Sequence, residues 1–294
     1  MSQSSASRVM VSDAIGMTSP VHLSFLECSV DSQRQFGRSE GHRGTRQRSA
    51  CRARILSDMS SGNLTGHFND AELDWLLPRA LGTTGGSPWI PGESLAAWFL
   101  LVDKVAAIYQ YRVRTVSFEV SGQETQYLNW MFNLAGEAQT TWAVAWPVVS
   151  PLAPACGDAA IFGNVVFTYD SVAYPIQSFR LSVDNAVDTQ QYENSITPTR
   201  FESQDLIVTL DVQTAFRSDT INLHRAAIAG AAASLSIPHG ANTYTFHFGN
   251  LKIPNGGPTI PTIGRINQSL SMEAYRVAGT GVTAADNQLR IVKA

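Results

Sequence analysis

Cysteine, lysine and long apolar runs are all scarce in this 294-residue chain, and each shortage closes off a class of protein. Three cysteines, Cys28, Cys51 and Cys156, are too few and too scattered for a disulfide framework or a zinc site, which points to a reducing compartment. The longest apolar run, Leu95 to Val102, stops at Asp103 and is too short to cross a bilayer, so no membrane partner is expected. No secretion signal is visible at the N-terminus, and a host cytoplasm is the expected place of synthesis. The six histidines show no i,i+3 or i,i+4 pairing and no adjacent ligand cluster, so no metal is expected. Gly-x-Ser-x-Gly, a phosphate-binding glycine loop and His-Glu-x-x-His are all absent. Gly82–Gly86 and Asn255–Gly257 contain paired glycines, but neither joins a strand to a helix with Lys and Ser/Thr, and both read as turns. No cofactor, catalytic residue or enzymatic activity is therefore expected.

What the chain does contain is alternation. Val116, Phe118 and Val120 alternate with Thr115, Ser117, Glu119 and Ser121. Phe179, Leu181 and Val183 alternate with Ser178, Arg180, Ser182 and Asp184. Ile266, Leu270, Met272 and Ala274 alternate with Asn267, Ser269, Ser271 and Glu273, and Leu206, Val208, Leu210 and Val212 with Thr209 and Asp211. A period of two means strands with one face on a core and the other on water. Here the wet face is short, hydroxylated and mildly acidic, whereas an ordinary outer surface carries more long charged side chains.

Charge is unevenly placed. Residues 1–54 hold 8 Arg against 4 acids, and the rest of the chain is acidic, for a net −3. Of the basic residues 18 are Arg and only 3 are Lys, a bias that suits multi-bonded contacts at interfaces. Residues 1–20 read as an extended arm. Residues 30–54 read either as a mobile loop or as one that orders against an acidic surface of a neighbouring subunit.

From about residue 51 the order of elements repeats. A strand over 54–65 precedes a helix capped by Asn69, with Glu72 placed as in a capping box and Pro78 expected to kink or end it. A Gly/Pro-rich loop over 82–93 and strands over 95–102 and 113–120 follow. In the second half come a strand over 206–212, a helix capped by Ser218 or Asp219, a strand over 244–248, a Pro/Gly loop over 254–264 and a strand over 266–274. Tyr111 and Tyr174 align without a gap, placing Val113 over Ile176 and Val120 over Val183. The expected organisation is an N-terminal arm and Arg-rich loop over 1–50 and two similar units over 51–160 and 161–294.

Two features invite a sharper chemical reading. Glu119 and Asp184 would make an acid–base pair if brought together, but each sits among Ser and Thr on a strand's wet face, where a solvated wall residue is the simpler account. The tryptophans lie in apolar settings without interleaved Lys and Arg, so they form no nucleic-acid platform. Trp89, Trp142 or Trp146 would serve a carbohydrate-binding β-sandwich if exposed.

The order of elements, carried by FNDAELDWLLPRALG at 68–82, WFLLVDKVAAIYQYRVRTVSFEVSGQETQYLNWMFNLAG at 98–136, YPIQSFRLSVDNAVDTQQYENSITPTRFESQDLIVTLDVQ at 174–213 and PTIGRINQSLSMEAYR at 261–276, resembles the major tail (tube) proteins of long-tailed bacteriophages. The resemblance spans most of residues 50–294. It implies a mainly β fold with flanking helices: duplicated tail-tube β-sandwich units whose strands join a ring-spanning β-barrel. Some members carry one unit and form hexameric rings; others carry two and form trimeric rings with pseudo-sixfold symmetry, the class a duplicated chain joins.

On that resemblance the chain is a structural virion protein of the phage tail, stacking as rings that conduct DNA. Ser117, Glu119, Ser182, Asp184, Thr209, Asp211, Ser271 and Glu273 would line the lumen, with Arg180 neutralised by Asp184. Arg38, Arg43, Arg46, Arg48, Pro88, Trp89, Pro254 and Gly257 would make contacts between rings or subunits. Tape-measure, tail-tip and terminator proteins would be its partners, and DNA would pass without binding. A terminator or completion ring and a secretion-type tube are the nearest alternatives.

Overall fold

The computed structural model describes residues 7–38, 53–83, 85–148, 159–217, 220, 223, 228–259, 266–277 and 287–294. Arg43, Arg46, Arg48, Cys51, Cys156, Ser218, Asp219 and the 260–264 part of the expected loop lie outside them. The described first half contains β1 (Arg8–Ser12), β2 (Val21–Leu23), β3 (Glu27–Cys28), β4 (Asp31–Arg38), β5 (Ala53–His67), α1 (Asp70–Leu81), β6 (Trp98–Asp103), β7 (Ile108–Gln123), β8 (Asn129–Gly136) and β9 (Thr140–Thr141). The second contains β10 (Val166–Tyr169), β11 (Val172–Tyr174), β12 (Ser178–Asp184), β13 (Asp188–Gln191), β14 (Arg200–Glu202), β15 (Ile207–Ala215), β16 (Ala231–His239), β17 (Asn242–Thr259), β18 (Asn267–Tyr275) and β19 (Arg290–Lys293).

The central feature is a run of eight antiparallel strands in the order β4–β5–β8–β7–β12–β15–β18–β17. Its buried face carries Leu64, Phe118, Val120, Phe132, Leu181, Val183, Leu210 and Met272, which join one hydrophobic core with α1 and with residues of β1, β6, β16 and β19. Two long strands connect the layers. β7 pairs with β6 through Val113 and with β8 and β12 beyond it; β17 pairs with β16 through Leu251 and with β18 beyond. A bulge marks each crossing, at Thr115–Ser117 and at Lys252–Asn255, and bulges are the usual way a strand bends and twists away.

Helix α1 forms where expected, and Asn69 accepts the Glu72 N–H at 3.0 Å. The capping box is only half made, because Glu72 turns its carboxylate to the Ser24 N–H at 2.7 Å. Pro78 neither ends nor replaces the last turn; the helix runs to Leu81 and Gly82, at φ 68°, donates back to the Pro78 carbonyl. An αL glycine stop outweighs the single hydrogen bond that proline forfeits.

Glu72 is buried, and burial raises its carboxyl above the ordinary range, with the Ser24 N–H pulling the other way. The folded chain therefore holds this proton more tightly than the unfolded one, and stability falls as pH rises through the raised value. In urea unfolding followed upward from about pH 4, Glu72→Gln should gain on the wild type with pH until the raised value is passed and then hold level. Parallel pH profiles would remove Glu72 as the cause.

Several expectations over the termini and loops are corrected. The proposed arm over 1–20 contains β1, whose Val9, Met10 and Val11 are buried between β2 and β6. Of the Arg-rich stretch, residues 31–38 pair along β5 as one side of a hairpin. The expected loop over 254–264 is strand through Thr259, since β18 supplies a ladder for it. Tyr111 and Tyr174 do not mark a repeat: β7 and β12 are adjacent strands running in opposite directions, with Val120 opposite Leu181.

Candidate functional site: a polar sheet face with two open edges

On the eight-stranded run the side opposite the core is polar, because alternation assigns every second residue to it. All eight sequence-predicted wall residues lie on this one face, on β7, β12, β15 and β18. Cross-strand register arranges them in rows: Glu119 opposite Ser182, Ser182 opposite Thr209 and Thr209 opposite Glu273; Ser117 opposite Asp184; Asp211 opposite Ser271. The neighbouring strands add residues that periodicity alone did not single out. Asn133 donates to Ser117 at 2.8 Å, and Asn129 contacts the His67 ring nitrogen at 2.8 Å. On β17, Lys252 stands opposite Glu273, which accepts the Tyr275 hydroxyl at 2.9 Å.

Arg180 is paired differently from expectation. Its guanidinium lies 2.7 Å from Glu119, diagonally across the β12–β7 junction, with Asp211 directly opposite on β15. Asp184 sits four residues along the same strand, roughly 13 Å away at about 3.3 Å per residue, and is out of reach. It accepts the Ala186 N–H instead, at 2.8 Å. The Glu119 hydrogen bond and charge raise the Arg180 pKa further, so the arginine stays charged and tied down. From Ser117 onward on β7 and along β12, β15 and β18, this face carries Glu119, Asp184, Asp211 and Glu273 against Arg180.

The expected contact residues disperse. Arg38 ends β4 opposite Ala53, and Pro254 and Gly257 lie in β17, so three of them sit on the two outermost strands of the run. Pro88 is exposed in the loop after α1. Trp89 does not project: it is 2 % exposed, stacks on Tyr244 at 6.2 Å and exchanges backbone hydrogen bonds with Ile291. Trp142 and Trp146 are half-buried over Met10, Met17 and Leu101. Trp89→Ala should cost about 3–5 kcal/mol in urea unfolding, as expected for a large aromatic removed from a packed site. A loss under about 1 kcal/mol would contradict this packing.

Exposed apolar side chains gather at the two ends of these strands, a signal that sequence periodicity could not give. At one end, beyond β8, the β4–β5 hairpin exposes Phe36 and Leu56 at 62 % and 61 %. At the other, Tyr127 and Ile161 are about half exposed around a groove of about 730 Å³ that also includes His67, Thr125 and Phe162. Among the described residues no group of His, Cys, Asp and Glu could hold a metal ion.

Residues 9–274 match the phage tail tube protein family. The chain belongs to that family. No curated protein matches it. A tail tube protein is a structural component of the phage tail, which accounts for a mainly β chain whose most ordered feature is a sheet and not a pocket. No helix among the described residues is long and apolar enough to cross a membrane.

Proposed function

We propose that three copies of this tail tube protein close into a ring of 24 strands, eight from each chain, and that the rings stack into a tube through which DNA passes. The eight-strand run with a polar face carries this reading. Its outer strands, β4 and the distal part of β17, each have a partner on one side only among the described pairings. An edge of this kind invites another chain, and closing the sheet removes it.

The two halves support a duplication within the chain. Strands β4–β5–β8–β7 and β12–β15–β18–β17 alternate in direction, so a step of four preserves polarity. Residues 63–82 lie over 211–230 without a gap, placing Phe68 over Phe216 and the left-handed Gly82 over the left-handed Gly230 at φ 68° and 84°. Val113, which pairs with both Trp98 and Gly136, corresponds to Leu251, which pairs with both Ala231 and Ala274. On this reading the chain would consist of two tail-tube units, the first including β3 and β4, giving a pseudo-sixfold ring from three chains.

The acidic, short-chained face would form the lumen. Such a wall repels phosphates, whereas a Lys/Arg wall would bind them by releasing counterions. Stacking would use the two ends of the strands, with Arg38 at the end of β4 among the candidate contacts to the next ring. Tape-measure, tip and terminator proteins complete the tail, which is assembled in the host cytoplasm.

Negative-stain microscopy with light scattering tests the reading. Long tubes with a uniform bore, grown from a species of about 96 kDa (three times 31.9 kDa), are the expected result. Six chains per ring would keep the tube and discard the trimer; single rings that never stack would favour a terminator.

A further inference from the structure

The junction between the two halves inside the chain offers a template for closure between chains. Resting on the trimeric reading above, we infer that the distal part of β17 lies antiparallel to the β3–β4 edge of the next copy in the register of the internal β7–β12 junction. Asn255 then faces Gln33, Gly257 faces Asp31 and Thr259 faces Ser29.

The register follows from two correspondences. Taking Val113 onto Leu251 takes Ser117 onto Asn255 and Glu119 onto Gly257, with the bulges at Thr115–Ser117 and Lys252–Asn255 in the same place. On the partner side Asn133 corresponds to Ser271, so Asn63, opposite Asn133, corresponds to Asp211, opposite Ser271. In the first half the β3–β4 line then runs beside β5 as β12 runs beside β15. Asp31 stands opposite Ser61 and Gln33 opposite Met59, as Ser182 stands opposite Thr209 and Asp184 opposite Ile207. Internally, Ser117 faces Asp184 and Glu119 faces Ser182. Carrying those pairs across gives Asn255 with Gln33 and Gly257 with Asp31.

This seam differs from its internal template in one respect. Arg180 and Glu119 form the ion pair of the inner junction, and their counterparts are Ser29 and Gly257. The closing seam lacks that pair and is held by backbone hydrogen bonds, so ring closure should depend little on salt.

Cysteine cross-linking of the full chain reads the register directly, since side chains facing each other across antiparallel strands have Cβ atoms about 4.5–5.5 Å apart, close to disulfide range. Gln33→Cys with Asn255→Cys, oxidised at the ring stage, should give covalent dimers and trimers on a non-reducing gel and nothing larger within a ring. Wild type and each single variant should stay monomeric on the gel. Cross-linking of Asp31→Cys with Asn255→Cys instead, a slip of two residues, would overturn the register. Absence of either product from particles with the mass of three chains would overturn the seam while leaving the ring. A monomeric mass for the wild type would remove the ring itself and the seam with it.

Discussion

Phe36→Asp combined with Leu56→Asp should yield folded rings that do not stack, with tube length falling to a few rings or none. β8 leaves β5 at Ser60, while β4 continues to pair as far as Ala53, so the hairpin extends roughly 23 Å past its neighbour at about 3.3 Å per residue. Leu56 is the extra residue of a bulge and lies over Gly37, where a Cβ would come within 2.6 Å of the Leu56 side chain. Glycine thus leaves the space that Leu56 occupies, and Phe36, the preceding residue of β4, is exposed as well. On the proposed stacking, the Tyr127–Ile161 groove at the opposite end would supply the complementary hollow. A knob at one end and a hollow at the other make a head-to-tail contact, which repeats without closing and so builds filaments. On the trimeric reading, burying Phe36 and Leu56 would be worth about 1.5–3 kcal/mol each, three times per ring boundary, and a carboxylate there would reverse the sign. Because both side chains are exposed in the single chain, circular dichroism and urea unfolding should change little. Tubes of normal length would show that the contact lies elsewhere.

Much of the polar face is legible because period-two alternation states which residues share a face, and a face is a local property. Ser117, Glu119, Ser182, Asp184, Thr209, Asp211, Ser271 and Glu273 could be grouped without knowing how their strands pair. Pairing itself is non-local. Nothing in the sequence around Arg180 distinguishes Asp184, four residues along, from Glu119, sixty-one residues back; only register does. Trp89 failed for a related reason. Its Gly/Pro setting reads as a projecting loop, yet Ile291 from the far end of the chain supplies a bridge that draws it into the core. Element order suggests the proposed duplication, but the tyrosine alignment matches two strands that are neighbours. The offset linking Phe68 with Phe216 and Gly82 with Gly230 becomes persuasive only when both glycines are seen at positive φ.

Asp211→Lys with Glu273→Lys should convert a passive lumen into one that holds DNA. Each chain changes by four charges, so a ring of three changes by about twelve, concentrated where field lines are confined by a low-dielectric wall. The new lysines face Arg180 and Lys252 across the strands, a cost of roughly 0.2–1 kcal/mol each, but Glu119 still pairs Arg180 and both positions meet water, so folding and tube growth should survive. At about 50 mM salt the variant tubes should retain short duplex DNA that wild-type tubes release. Between about 50 and 200 mM, retention should fall by orders of magnitude, with log K dropping by roughly 0.9 per log unit of salt for each phosphate neutralised. In a phage carrying the variant, particles should assemble while DNA ejection slows, an effect that added salt relieves. Equal retention by both tubes at low salt would mean that these carboxylates do not face the conduit. Retention insensitive to salt would mean that DNA binds the variant by contacts other than phosphate pairing. The sign matters more than the size, because a conduit needs only that every step along its wall be no more attractive than the last.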